Sequence, residues 1–151
     1  MSIIKCPVGI QTFEKIRTDN YLYVDKTKYI YNLVTKGTYY FLSRPRRFGK
    51  SLTMTTIKAL FEGRRDLFKG LAIDSLEWDW QHHEVLHLDL NVRYYKDEVS
   101  LVTILERHLR QWEAKYDIKQ IADTPEDRFV EVIQRSHIIK FQGRRGGPEI
   151  L

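Results

Sequence analysis

Nine consecutive residues, Arg44-Pro45-Arg46-Arg47-Phe48-Gly49-Lys50-Ser51-Leu52, bring together three guanidinium groups, an ammonium, a hydroxyl and a glycine. These are the groups that hold a polyphosphate. Guanidinium and ammonium donors match phosphate oxygens. A glycine lets backbone N–H groups come close to them, and the start of a helix adds unpaired donors and the positive end of its dipole. Lys50 is placed to reach β- and γ-phosphates, and the Ser51 hydroxyl to reach a Mg²⁺ ion bridging them. Charge alone also suits a solvated basic turn, so the flanking elements must decide.

Those elements have the required order. Thr38-Tyr39-Tyr40-Phe41-Leu42 is short, β-branched or aromatic, and apolar on both alternations, which predicts a strand buried on both faces. Lys50 to Phe61 carries Leu52, Ile57, Leu60 and Phe61 in a helical pattern that stops at Gly63. Strand, basic glycine-containing turn and helix are the context of a phosphate-binding P-loop. The loop departs from the full motif at its entry, where Arg44 stands in place of the first glycine and Pro45 lacks an N–H.

Elsewhere the pattern also alternates. A short helix is expected at Phe13 to Arg17, an extended entry at Tyr21-Leu22-Tyr23-Val24, and a helix over Lys28 to Thr35 with Asp25 or Thr27 as cap and Gly37 as stop. Leu67, Phe68, Leu71 and Ile73 suit a short connector. Val85-Leu86-His87-Leu88-Asp89-Leu90 predicts a second strand. A long amphipathic helix follows over Val99 to Tyr116, with Asp97 at its start. Thr124 then caps a helix that has Pro125 in its first turn. The expectation is an α/β fold, P-loop NTPase-like, with a mainly parallel sheet flanked by helices, incomplete because only two strong strands are found. Residues 1–136 form that domain, and residues 137–151, rich in Gly and Arg, make an irregular tail.

The chain has 151 residues, 42% of them apolar, and a formal net charge of +5 from 25 basic and 20 acidic side chains. This composition excludes a fully disordered chain. No apolar run approaches the roughly 20 residues that cross a bilayer. With a single cysteine, Cys6, neither an internal disulfide nor a cysteine-rich zinc site can form. No secretory leader is recognisable, so a cytoplasmic location is expected. His82, His83 and His87 lack the spacing of a zinc helix and suit solvated positions. Trp78, Trp80 and Trp112 suit core or interface anchors.

Tyr23-Val24-Asp25-Lys26-Thr27, the segment from Tyr40 to Leu52, Phe61-Glu62-Gly63 and Leu67-Phe68-Lys69-Gly70-Leu71 together resemble the AAA-ATPase-like proteins of bacteria. Many of these carry a C-terminal PD-(D/E)XK nuclease-like domain. The resemblance is strong over about the first 90 residues and continues to about Ser136, and an arginine at the Arg44 position is typical of the family. It implies ATP and Mg²⁺ as cofactors, with Arg46, Arg47, Phe48, Gly49, Lys50, Ser51 and Leu52 as the nucleotide loop and Ser51 as the magnesium residue.

Hydrolysis needs an acidic residue at the end of an apolar strand. In relatives that strand ends in Ile-Asp-Glu-Tyr-Asp, whereas here Ile138-Ile139-Lys140-Phe141-Gln142 stands at the corresponding place. The expectation is therefore a truncated member that is weak or inactive as an ATPase. Asp89 is the candidate substitute, with pairing to Arg93 as its structural alternative. Asp25 suits either a position near the nucleotide or a helix cap. The competing functional reading is a non-enzymatic nucleic-acid-binding module using the basic cluster from Arg44 to Lys50, joined by Arg64 and Arg65.

Overall fold

Helices dominate because each closes its backbone hydrogen bonds within its own segment. The structure, a computed structural model, describes residues 5–37, 39–43, 45, 47–90, 98–119 and 123–142. In chain order its helices are α1 (Phe13–Thr18), α2 (Thr27–Lys36), α3 (Lys50–Phe61), α4 (Arg65–Phe68), α5 (Glu98–Lys115) and α6 (Pro125–Gln142), with a 3₁₀ turn at Ala72–Ser75 after α4. α3 has the bounds its periodicity predicts, and α2 and α5 differ from expectation by a residue at each end. Asp97 and Arg93 lie outside the described residues.

The expected mainly parallel α/β arrangement is overturned. Among the described residues there is no strand and no sheet; one isolated parallel bridge joins Lys5 and Tyr21, through the Leu22 N–H donating to the Lys5 carbonyl at 2.8 Å. Tyr39–Leu42 is not a buried strand: Tyr39 and Phe41 are 94% and 95% exposed. Val85–Leu90 is not a strand either, and Leu88 and Leu90 are exposed. A strand exists only by pairing its N–H and C=O groups with a neighbour. Side-chain propensity at these segments meets no partner strand, so it has nothing to act on.

The chain divides into two compact units, residues 1–85 and 86–151. In the first, Phe13, Ile30, Ala59, Leu60, Leu67, Phe68 and Ile73 form the core. Phe13 packs against Phe68 with the rings tilted by 40° and meets Tyr23 edge-on, with centroids at 4.9 and 5.1 Å. Each such fully buried side chain stabilises by about 1.5–3 kcal/mol through the apolar area it removes from water. Trp78 and Trp80 pack against this core as partly buried anchors.

The second unit packs α5 against α6. Leu109, Trp112, Tyr116 and Val132 make its core, with Leu86, Leu105, Ile118 and Phe129 against them. Thr124 caps the start of α6: the Asp127 N–H donates to the Thr124 hydroxyl at 3.2 Å, and that hydroxyl donates to the Asp127 carboxylate at 2.7 Å. α6 then runs to Gln142, so Ile138 to Gln142 are helical where relatives are expected to have their acidic strand.

Candidate functional site

The basic turn ends in two left-handed residues. Arg47 has φ 67° and Gly49 has φ 75°, ψ 21°. For glycine this conformation is free of strain; for arginine it costs on the order of 1 kcal/mol. α3 begins on the next residue, with Lys50 and Ser51 in its first turn and no acidic side chain there. The Gly49 carbonyl accepts two hydrogen bonds from Thr53, one from the backbone N–H at 2.9 Å and one from the hydroxyl at 2.9 Å. N–H groups ahead of Thr53 precede the first i−4 acceptor of the helix and emerge at its end.

Loop and helix start face solvent. Arg47, Phe48, Gly49, Lys50 and Ser51 are exposed, and a Cβ built at Gly49 meets nothing within 4 Å. Leu52 is different: its side chain turns inward against the first core, so it anchors the helix and brings only its backbone to the loop. Arg44 and Arg46 lie outside the described residues.

What holds α3 in place is a set of contacts from segments far away in sequence. Thr56, Ala59 and Leu60 are buried along its inner face. The Thr55 hydroxyl accepts the Phe13 N–H at 3.1 Å, which satisfies the first turn of α1. Burial pushes the Tyr23 phenol up, against a hydrogen bond with Thr56 that lowers it. Beyond the helix, Arg64 bridges Glu14 at 2.9 Å and Asp66 at 3.1 Å. Gly63 has φ 70°, and a Cβ there would sit 2.7 Å from the Trp80 carbonyl oxygen. The Phe61-Glu62-Gly63 motif therefore ends α3 and admits the following chain, whose His83 N–H donates to the Phe61 carbonyl at 2.7 Å.

Asp25 is a structural residue. One carboxylate oxygen accepts the Thr27 N–H at 2.8 Å and the Thr27 hydroxyl at 2.7 Å; the other accepts the Ala72 N–H at 2.7 Å. Desolvation alone would raise its pKa, but the bonds from Ala72 and Thr27 outweigh that and hold the carboxyl below its ordinary value. The N-cap of α2 is Lys26, so Asp25 stands one residue before the cap, where it joins Thr27 to Ala72 across 47 residues of sequence.

The remaining candidates fall elsewhere. Asp89 lies in the second unit, exposed, with its backbone carbonyl 3.0 Å from His108 Nε2. His82 places Nδ1 3.0 Å from the Glu62 carbonyl and Nε2 3.3 Å from a Glu84 oxygen. Among the described residues no three His, Cys, Asp or Glu side chains stand together to hold a metal. No described helix is long and apolar enough to cross a membrane. Residues missed by sequence reasoning are Thr53 and Thr55, hydroxyls in an ordinary helical run that carry no motif signal.

The residues at the start of α3 fit a phosphate tail: open space at a left-handed glycine, cationic side chains and the N-terminus of a 12-residue helix without an acid. Comparisons with known proteins cover most of the chain. No solved structure matches it. An uncharacterised protein in the vnfD 5′ region of Azotobacter chroococcum mcd 1 is 42% identical over 139 residues, 91% of this chain and 27% of that protein. The chain thus spans about a quarter of the length of the curated relative it matches. The family described as predicted AAA-ATPase matches residues 7–143, and with that coverage the chain belongs to the AAA-ATPase-like family.

Proposed function

We propose that this chain binds ATP through its triphosphate, at the loop from Arg46 to Leu52. The observation that carries the reading is the left-handed Gly49 immediately before α3, in a family described as predicted AAA-ATPase. Backbone N–H groups of Lys50, Ser51 and Leu52 bind phosphate oxygens, and the Lys50 ammonium neutralises the outer phosphates. Arg46 and Arg47 add guanidinium donors from the loop itself. Mg²⁺, when bound, bridges phosphate oxygens and offsets their charge, and Ser51 is the side chain that would hold it.

The proposed role is nucleotide binding, with hydrolysis weak. Ile138-Ile139-Lys140-Phe141-Gln142 stands where relatives are expected to carry the acidic strand that hydrolysis needs, and it is helical and without an acidic side chain. The test is titration of ATP with Mg²⁺ into the wild type and into Lys50→Ala. A loss of affinity of tenfold or more in the variant supports the reading. Equal affinity for both sinks it. Parallel titration of single- and double-stranded DNA over a range of salt reports the competing module: a steep salt slope shared among several arginines would replace the nucleotide reading with a nucleic-acid one.

A further inference from the structure

The Gly49 carbonyl is held by one residue twice. Thr53 donates to it from its backbone N–H and from its hydroxyl, each at 2.9 Å. In a planar trans peptide the C=O and the N–H point in opposite directions. Tying the Gly49 oxygen up the helix axis therefore aims the N–H of the same peptide unit, that of Lys50, outward past the helix start. At a glycine with φ 75° and open space around its Cβ position, the peptide has more rotational freedom than at any side-chain-bearing residue. A second bond to its carbonyl restrains what the first leaves loose.

We infer that Thr53 is a positioning residue for phosphate binding, acting through the orientation of the Gly49–Lys50 peptide. This rests on the nucleotide reading above and deepens it. Thr53 touches no phosphate in this scheme; its hydroxyl sets the direction of a donor that does. Side-chain hydroxyls bonding to the i−4 carbonyl recur in this protein without any such role. Thr35 donates to Tyr31 at 2.8 Å and Thr18 to Glu14 at 3.0 Å. They supply the control, because they share the geometry and lie away from the loop.

The experiment measures ATP·Mg²⁺ affinity by calorimetry for the full chain as wild type, Thr53→Val, Thr53→Ser, Thr35→Val and Lys50→Ala, with thermal melting of each. Thr53→Val keeps the volume and the backbone N–H and removes only the hydroxyl bond. The expected result is a loss of about three- to tenfold in Thr53→Val, the range of one hydrogen bond, with affinity restored within twofold in Thr53→Ser and unchanged in Thr35→Val. Thr53→Val binding within twofold of wild type overturns the inference. So does a loss that Thr53→Ser does not restore, or one that Thr35→Val shares. If Lys50→Ala binds as well as wild type, the nucleotide reading itself fails, and the inference with it. If Thr53→Val does not fold, Thr53→Ala read against Thr53→Ser decides: a loss in Thr53→Ala that Thr53→Ser restores supports the hydroxyl's role, and equal binding by the two overturns it. Inorganic tripolyphosphate, titrated beside ATP, should show the same order of variants.

Discussion

Arg128 grips Glu113 with two parallel hydrogen bonds, Nε to one carboxylate oxygen at 2.6 Å and Nη2 to the other at 2.7 Å. The side chains are 6% and 10% exposed, and the pair joins α5 to α6 beside Trp112 and Val132. The hydrogen bonds to Arg128 outweigh burial and hold the Glu113 carboxyl below its ordinary value, while the guanidinium is pushed up. Desolvation opposes such a pair, so its net contribution is small, but each partner is costly to lose alone.

Arg128→Met should therefore destabilise the second unit by about 3–5 kcal/mol, and Glu113→Met by a similar amount. The double variant should recover most of that, because no buried charge is left without a partner. Urea unfolding followed by tryptophan fluorescence in a background with Trp78→Phe and Trp80→Phe, which leaves Trp112 as the one reporter, would measure it. A double variant as unstable as the sum of the singles would show that the pair contributes only through packing.

Asp25 has a pH signature. Its pKa is lowered in the folded chain, so its contribution is fully present above the ordinary carboxylate range and is lost as pH falls through the lowered folded value. Melting temperature should drop on acidification below about pH 4 in the wild type. In Asp25→Ala the part of that drop due to Asp25 should vanish. At neutral pH the substitution should cost about 1–3 kcal/mol, the range for leaving the Thr27 and Ala72 N–H groups without their acceptor.

Two glycines with nearly the same φ should behave differently. Gly63→Ala must accommodate both φ 70° and the Trp80 carbonyl at 2.7 Å, so it should destabilise by well over about 1 kcal/mol. Gly49→Ala meets no neighbour and bears only the left-handed cost of about 1 kcal/mol. The functional order should be reversed: Gly49→Ala weakens ATP binding, and Gly63→Ala, where it still folds, leaves it near wild type. Chemical denaturation beside calorimetry separates the two effects.

Phe41 offers the sharpest check on the helical architecture. A strand buried on both faces predicts a loss of about 3 kcal/mol or more for Phe41→Ser. With Phe41 95% exposed, the expected change is within about 0.5 kcal/mol. Urea midpoints of the two proteins distinguish these outcomes directly.

Much of this molecule is local and was open to reading from the sequence. α3 starts at Lys50 because the left-handed glycine before it ends the turn, and it stops near Gly63 because that position again needs φ above zero. Thr124 and Pro125 open α6 through contacts within four residues. The basic loop and the family resemblance rest on contiguous residues for the same reason. Tertiary structure decided what contiguous residues cannot specify. Tyr39–Leu42 has the composition of a strand, yet pairing is a relation between segments, and no described segment pairs with it. Asp25 suits a nucleotide or a cap by sequence; its bond from the Ala72 N–H, 47 residues on, is a contact only the fold supplies. Glu113 and Arg128 sat on predicted helices with nothing to mark them as partners. Helix starts, stops and the phosphate loop follow from short-range hydrogen bonding and backbone sterics; strand pairing, buried ion pairs and the supports of α3 depend on which distant groups the fold brings within reach.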